Sequence, residues 1–488
     1  GAAGDGGLHV NANGSADFAL LRAFYPVAFV DRVTGVSDWR FDGMAQTDGM
    51  AWSATSSMQG AAIDLPAPFG KSAAGALPVR IERRGDSGRT DRDTLSVALG
   101  SAGTVVMHRK ITAGQPVIER ALVLAGNAVE KPGDADRPGI WIRADLPSID
   151  IDDWLAIDAS PPSGASPAAG ASPPQAQLKL AGVDLTATRL TALRRRFRDL
   201  NVSARRDGDN WQLTLQGRDV DGTAAWYAAA PNTPNGRAVA RLARFALPRE
   251  QDVAGGADKV EPSPPASVAN RWPELDIDAE RFLSKGRELG HLRMQAQPNG
   301  SDWRIDKLEL RNDGGSITAS GAWHVGGAAE RTELTARFDI RDAGTFLAHF
   351  GYPEEIRAAP TQVEGTFAWT GAPSDFDYRT LNGSLRLKSG AGQFVKIDPG
   401  IGKLIGVLSL QALPRRITLD FRDVFSEGFA FDEANGTVDI VNGVLRTDAF
   451  HINGKAARDD LRGSADLAHA TQQLDVRVQP SLATSFSA

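Results

Sequence analysis

The sequence predicts a mainly-β protein of antiparallel strands joined by tight turns, and three observations carry that reading. Apolar and charged residues alternate with period two over much of the chain: Leu334, Ala336, Phe338 and Ile340 share a face while Arg337 and Asp339 point away. Val363, Gly365, Phe367 and Trp369 do the same against Glu364, and Asn-Gly pairs beginning at 299, 382, 435, 442 and 453 punctuate the runs. Composition agrees, since 51 glycines and 27 prolines among 488 residues, with 7% aromatic residues, give many turns and few large core side chains.

Residues 1–157 form the first stretch of sheet. From His9 to Asn127 short strands are broken by turn signals, with Asn13-Gly14, Asp42-Gly43 and Asp48-Gly49 as hairpin turns. Residues 158–176 are rich in Pro, Ala and Ser, cannot bury a core, and read as a linker or loop. A second such linker or loop covers 251–270. Around it, 177–250 and 271–395 carry two copies of one hairpin unit. Leu200 to Trp211 and Leu292 to Trp303 are each an alternating strand, a turn at Asp-Gly or Asn-Gly, and a tryptophan opening the next strand. Val183 to Ala187 and Leu275 to Ala279 precede them, so the units build a repeating sheet. Ala343 to Phe350 reads as a short helix.

The last stretch, 396–488, changes character. Between Pro399 and Pro414, Ile401, Leu404, Ile405 and Leu408 recur at helical spacing, which predicts an amphipathic helix over 400–413 with Arg415 and Arg416 at its negative end. At ~1.5 Å per residue it is roughly 20 Å long, short of the ~30 Å hydrocarbon core of a bilayer. It is read either as a core helix or as one meeting a membrane or the end of a groove. The period then returns to two at Ile417, Leu419 and Phe421.

Charge and motifs exclude several functions. A net charge of −6 with signs interspersed lacks the basic stripe of a nucleic-acid binder. Cysteine is absent, which removes disulfides, thiolate metal sites and a cysteine nucleophile. Gly70-Lys71-Ser72 is not a phosphate loop, because Leu65 stands where its first glycine belongs and Pro66 and Pro68 lack amide donors. The seven histidines show no metal-binding spacing and no GxSxG elbow exists. No catalytic, cofactor or metal residue is assigned, and the chain is read as non-enzymatic. Asp150, Asp152 and Asp153 read as a turn cap, and Arg194, Arg195, Arg196 and Arg198 as a solvated face or a contact for anionic headgroups.

An apolar sheet face must be covered. Long amphipathic helices are missing, so the sheet either closes into sandwiches and barrels or curls and leaves an apolar groove. Trp211, Leu213, Leu215, Ile317, Trp323, Phe338, Phe367 and Trp369 are then sheet core or lipid contacts.

The segment with Trp52, Gly60 and the run Asp64-Leu65-Pro66-Ala67-Pro68-Phe69-Gly70-Lys71 is similar to a motif of the YhdP family of Gram-negative envelope proteins. The turn Asp150 to Trp154, the run Val363 to Pro373, and the helix with the strand that follows it resemble the family's C-terminal AsmA-like region. The resemblance implies an extended, curled antiparallel sheet enclosing a groove, in a non-enzymatic bridge that moves phospholipids between inner and outer membrane. It implies no cofactor, with phospholipids and, at the C-terminal end, the outer membrane as partners. It also implies a periplasmic place within an inner-membrane-anchored protein whose anchor precedes this region and whose chain continues past Val478 to Leu482. An envelope assembly factor that carries no lipid is the alternative.

The expected shape is testable by solution scattering. About 25 strands at ~4.8 Å make a sheet of roughly 120 Å, with a radius of gyration near ~35 Å, against ~23 Å for a globule of this length. A value near the globular one would favour packed sandwiches.

Overall fold

The computed structural model describes residues 8–24, 30–46, 49–86, 89–112, 115–130, 137–159, 178–193, 195–247, 272–325, 330–395, 429–455, 457–469 and 471–480. The helix expected over 400–413, with Ile401, Leu404, Ile405, Leu408, Arg415 and Arg416, lies outside the described residues, as does the strand expected after it. The chain divides into two compact units, one holding the described residues through Thr223 and the other those from Ala224 onward.

The first unit runs β1 (Leu8–Asp17), α1 (Phe18–Phe24), β2 (Val33–Gln46), β3 (Gly49–Ser56), β4 (Ala61–Ile63), β5 (Val79–Asp86), β6 (Arg89–Leu99), β7 (Gly103–Thr112) and β8 (Gln115–Gly126). It continues with β9 (Gly139–Asp150), α2 (Ile151–Ala159), β10 (Leu180–Ala192), β11 (Arg195–Asp207) and β12 (Asn210–Gln216), and the division falls within β13 (Val220–Tyr227). Strands through β12 pair in chain order, except that β4 lies on β2 and β3 therefore joins β5.

In the second unit come β14 (Arg237–Leu247), β15 (Glu274–Ser284), β16 (Arg287–Asn299), β17 (Asp302–Arg311), β18 (Gly315–His324), β19 (Arg331–Ile340), α3 (Ala343–Phe350), β20 (Ile356–Ala358), β21 (Thr361–Thr370) and β22 (Asn382–Ser389). β23 (Gly392–Phe394), β24 (Phe429–Phe431), β25 (Glu433–Val441), β26 (Val444–Asn453), β27 (Ala457–Asp466) and β28 (Thr471–Pro480) complete it. β20, β23 and β24 form a small separate sheet, so β19 pairs with β21 and β22 with β25.

The mainly-β expectation holds, with one correction: β8 with β9, β9 with β10, and β14 with β15 pair in parallel. Parallel neighbours need a crossover connection, whereas a tight turn suffices for antiparallel ones. The two Pro-rich runs lie in the connections from β9 to β10 and from β14 to β15. The hairpin units share one register: Val183 faces Ala204 as Leu275 faces Ala296, and Ala187 faces Leu200 as Ala279 faces Leu292. Each repeat therefore includes its parallel junction.

Two expected turns are strand interiors instead. Gly14 lies opposite Trp39, and Gly43 lies opposite Trp52. Ladder pairing along the whole of β1 and β2 outweighs the turn preference of the Asn-Gly and Asp-Gly pairs. Asn442 and Gly443 do form a hairpin turn, both with positive φ.

α3 occupies the expected residues. Asp342 Oδ1 accepts from the Thr345 amide at 2.7 Å at its start, and Gly351 ends it in the left-handed region. In β17 the apolar phase shifts between Ile305 and Leu308, and a bulge there keeps both on the side of Trp303 and Leu310. Ile305 is 1% exposed within a core that includes Leu334, Ala336 and Ile440. Ile305→Ala is expected to destabilise the second unit by about 2–5 kcal/mol in urea unfolding; an effect under about 1 kcal/mol would show that this site is not close-packed.

Candidate functional site

Cross-strand register sorts each sheet into two sides. In the first unit one side carries Ile81, Val97, Val105, Val123, Ile142, Leu185 and Val202, followed on β12 by Trp211, Leu213 and Leu215. The second unit has a matching side through Ile277, Met294, Leu308, Ala319, Ala336, Gly365, Leu385 and Val438. Ile317, Phe338 and Phe367 lie on it too. The opposite side is charged: Arg337 bonds Asp339 at 2.8 Å and pairs with Glu364 on the neighbouring strand. Six of the seven histidines pair with an aspartate, as His324 does with Asp302 at 2.8 Å. Among the described residues no group of acids and histidines can hold a metal ion. A hollow of about 800 Å³ on this charged side is lined by hydroxyls such as Thr318, Ser320, Thr335 and Thr366, between Arg337 and Arg386.

The strand ends of the apolar side are sealed in places. In the first unit Val79 and Leu99 lie under Phe18, Met58 and Ile63, with Leu65 and Phe69 packed on them. Phe69 meets Trp154 of α2 edge to face at 6.1 Å. The segment from Asp64 to Lys71 is therefore a structural clasp: Lys71 Nζ donates to the Met58 carbonyl at 2.8 Å and to that of Ala61, and burial pushes its pKa down. Gly70 is required there because a Cβ would meet the Leu65 carbonyl oxygen at 1.9 Å. Asp150 Oδ1 accepts from the amides of Asp152 and Asp153, the cap of α2. Arg198 is held by Asp219 at 2.9 Å.

In the second unit Trp303, Trp323 and Trp369 belong to a packed core, with Trp272 against the first two and Phe376 against the third. Trp323 and Trp369, read as sheet core or lipid contacts, are 6% and 5% exposed and belong to that core. The other six residues so read, Trp211, Leu213, Leu215, Ile317, Phe338 and Phe367, are partly exposed.

Two charged features on the apolar side were not anticipated. Arg83, Asp93 and Arg109 occupy positions that Ile81, Val97 and Val105 hold elsewhere in the same strands, and a break in that alternation is their sequence signal. Asp459 lies between Ile452 and Val478 in register and is 7% exposed. Burial pushes its carboxyl above the usual range, with the Asp460 charge adding to the effect. Folding therefore favours the protonated acid. That contribution is complete below the unfolded value of about 3.9 and is lost as pH rises through the folded one. Asp459→Asn is expected to be more stable than the native chain at neutral pH and to lose less stability between acidic and neutral pH. Parallel urea midpoints for the two chains would contradict this.

No helix among the described residues is long and apolar enough to cross a membrane. No solved structure matches the chain. The intermembrane phospholipid transporter YhdP of Escherichia coli (strain K12) is 24% identical over 426 residues, covering 86% of this chain and 32% of that protein. The chain thus spans about a third of the length of this curated relative. The family model described as YhdP protein matches residues 2–488, and so the chain belongs to the YhdP family.

Proposed function

We propose that this chain forms a stretch of a phospholipid path between the inner and outer membranes, with acyl chains against the apolar side of the sheet and the charged side facing the periplasm. The observation that carries this reading is the apolar side itself, passed from strand to strand by register in each unit, with Leu213, Leu215, Ile317, Phe338 and Phe367 partly exposed. Apolar side chains left partly exposed along that side are costly in water and call for an apolar occupant. That the relative from Escherichia coli is an intermembrane phospholipid transporter supports a phospholipid as that occupant. The reading gives the chain no chemical step: its residues exclude water from the lipid tails and keep the charged side solvated. In the whole protein this region belongs to the periplasmic span, directed towards the outer membrane at its C-terminal end.

Photo-crosslinking tests the sidedness. Photoreactive residues at Leu213, Ile317, Phe338 and Phe367 are expected to capture phospholipid, and the same groups at Arg337 and Glu364 are not. Equal capture from both sides would remove the proposal, as would capture of polypeptide in place of lipid at the apolar positions.

A further inference from the structure

The short helix α3 is fastened to the strand ends around it by one histidine. His349, in its last turn, places Nδ1 2.8 Å from the carbonyl oxygen of Glu288 at the start of β16. Its Nε2 lies 2.8 Å from Asp313 Oδ1 in the turn from β17 to β18. Both partners are acceptors. A neutral imidazole has one N–H and donates to only one of them, so the two contacts are complete only when both ring nitrogens carry protons. His324 and His291 differ, since each meets an aspartate through a single ring nitrogen, a contact that a neutral ring also makes.

The charges around this contact have their own partners. Arg281 on β15 bonds the Glu288 carboxylate at 2.6 Å, and Arg287 Nη1 donates to the Phe350 carbonyl at 2.9 Å. Arg341, just after β19, donates to the backbone carbonyl of Asp313, and Asp342 caps the far end of α3. Lys285 in the turn before β16, Glu354 and Glu355 before β20, and Arg357 on it are the other charged residues of the segments next to α3. Burial pushes the His349 pKa down, but the bonds to Glu288 and Asp313 and the charges of those two acids outweigh it and hold the pKa above the ordinary histidine value. The same bond holds the Asp313 carboxyl below its usual range. The proton's contribution to docking α3 is therefore complete below the unfolded value of about 6.5 and is lost as pH rises through the folded one.

What the contact holds in place is one end of the apolar side of the second unit. Ala343 of α3 shares a core with Ala359 and Phe431, and Ile340 and Ile356 pack on it. Phe346 is 4% exposed. A Cβ on Gly314 would meet the Phe346 amide nitrogen at 2.3 Å, so the helix backbone lies against the turn that opens β18, and Ile317 follows in that strand. We propose that His349 is a pH-sensitive latch: protonated, it ties the last turn of α3 to the β15–β16 and β17–β18 turns, and on losing its proton it releases that turn and uncovers Phe346 and the start of β18. The latch belongs to the fold of the second unit and does not depend on the lipid-path reading.

Two measurements on the full chain test the latch. Nitrogen-15 NMR of histidine-labelled protein reads which ring nitrogens carry protons, and the His349 signals are assigned by their loss in His349→Gln. They are expected to show a mostly doubly protonated ring at pH 6.5, where an unperturbed histidine is about half protonated. Hydrogen exchange of peptides spanning 343–352, corrected for the intrinsic rate, is the second. Protection there is expected to fall roughly threefold to tenfold between pH 6 and pH 9, the factor that one partly exposed hydrogen bond supplies, while peptides from β10 and β11 keep theirs. His349→Gln, whose amide does not titrate, is expected to hold one low level of protection across this range, and Asp313→Asn to move the loss to lower pH. A His349 that titrates at or below the ordinary value, protection of α3 that does not change with pH, or a pH dependence that survives in His349→Gln would each overturn the latch.

Discussion

The backbone ladder decides which side of the sheet each residue occupies, and everything else in this protein follows from its register. With a side-chain period of two, a slip of one residue would carry a whole strand's apolar set to the charged side. The bulge in β17 shows the constraint acting: the sequence shifts phase between Ile305 and Leu308, and the chain absorbs the shift locally instead of turning Leu308 and Leu310 outward. Similar irregularities lie at Glu119 on β8, opposite His108 and Arg109, and between Thr447 and Phe450 on β26. In each unit the apolar residues thus accumulate on one side across many strands, where no single strand could hold them.

The apolar side is then covered unevenly. Local segments seal particular strand ends: the run from Asp64 to Lys71 and α1 in the first unit, and Trp272 and Phe376 in the second, where α3 with the small sheet of β20, β23 and β24 supplies another core around Ala343, Ala359 and Phe431. These pieces stabilise the sheet as ordinary cores do, through buried apolar area. Between them, residues such as Leu213 and Phe338 remain partly exposed, and the proposed occupant is what would complete their burial.

Much of this was legible in the sequence because it is local. The alternation around Phe338 and Phe367, the hairpin unit repeated from Leu200 and Leu292, and α3 between its Asp342 and Gly351 caps are all set by neighbouring residues. The parallel pairs were not, because the direction of a strand depends on the path of the connection before it, and Pro-rich runs carry no signal of that path. Asn13-Gly14 and Asp42-Gly43 misled for a related reason, since both pairs are taken up in ladders with strands that the local sequence does not specify. At the candidate site, alternation identified the apolar row. It could not tell Trp323 and Trp369, which are buried by Trp272 and Phe376, from Phe338 and Phe367 on the same side. The group at Asp93 was readable in principle, as charges at positions where β5, β6 and β7 are otherwise apolar.

The central claim is that the apolar side of the sheet is completed by lipid and not by protein. Extraction of the purified chain followed by mass spectrometry of both lipid and polypeptide tests it most directly. The account predicts several phospholipid molecules per folded chain and no bound polypeptide. A folded chain free of lipid, or one whose apolar side is occupied by a polypeptide, would contradict it.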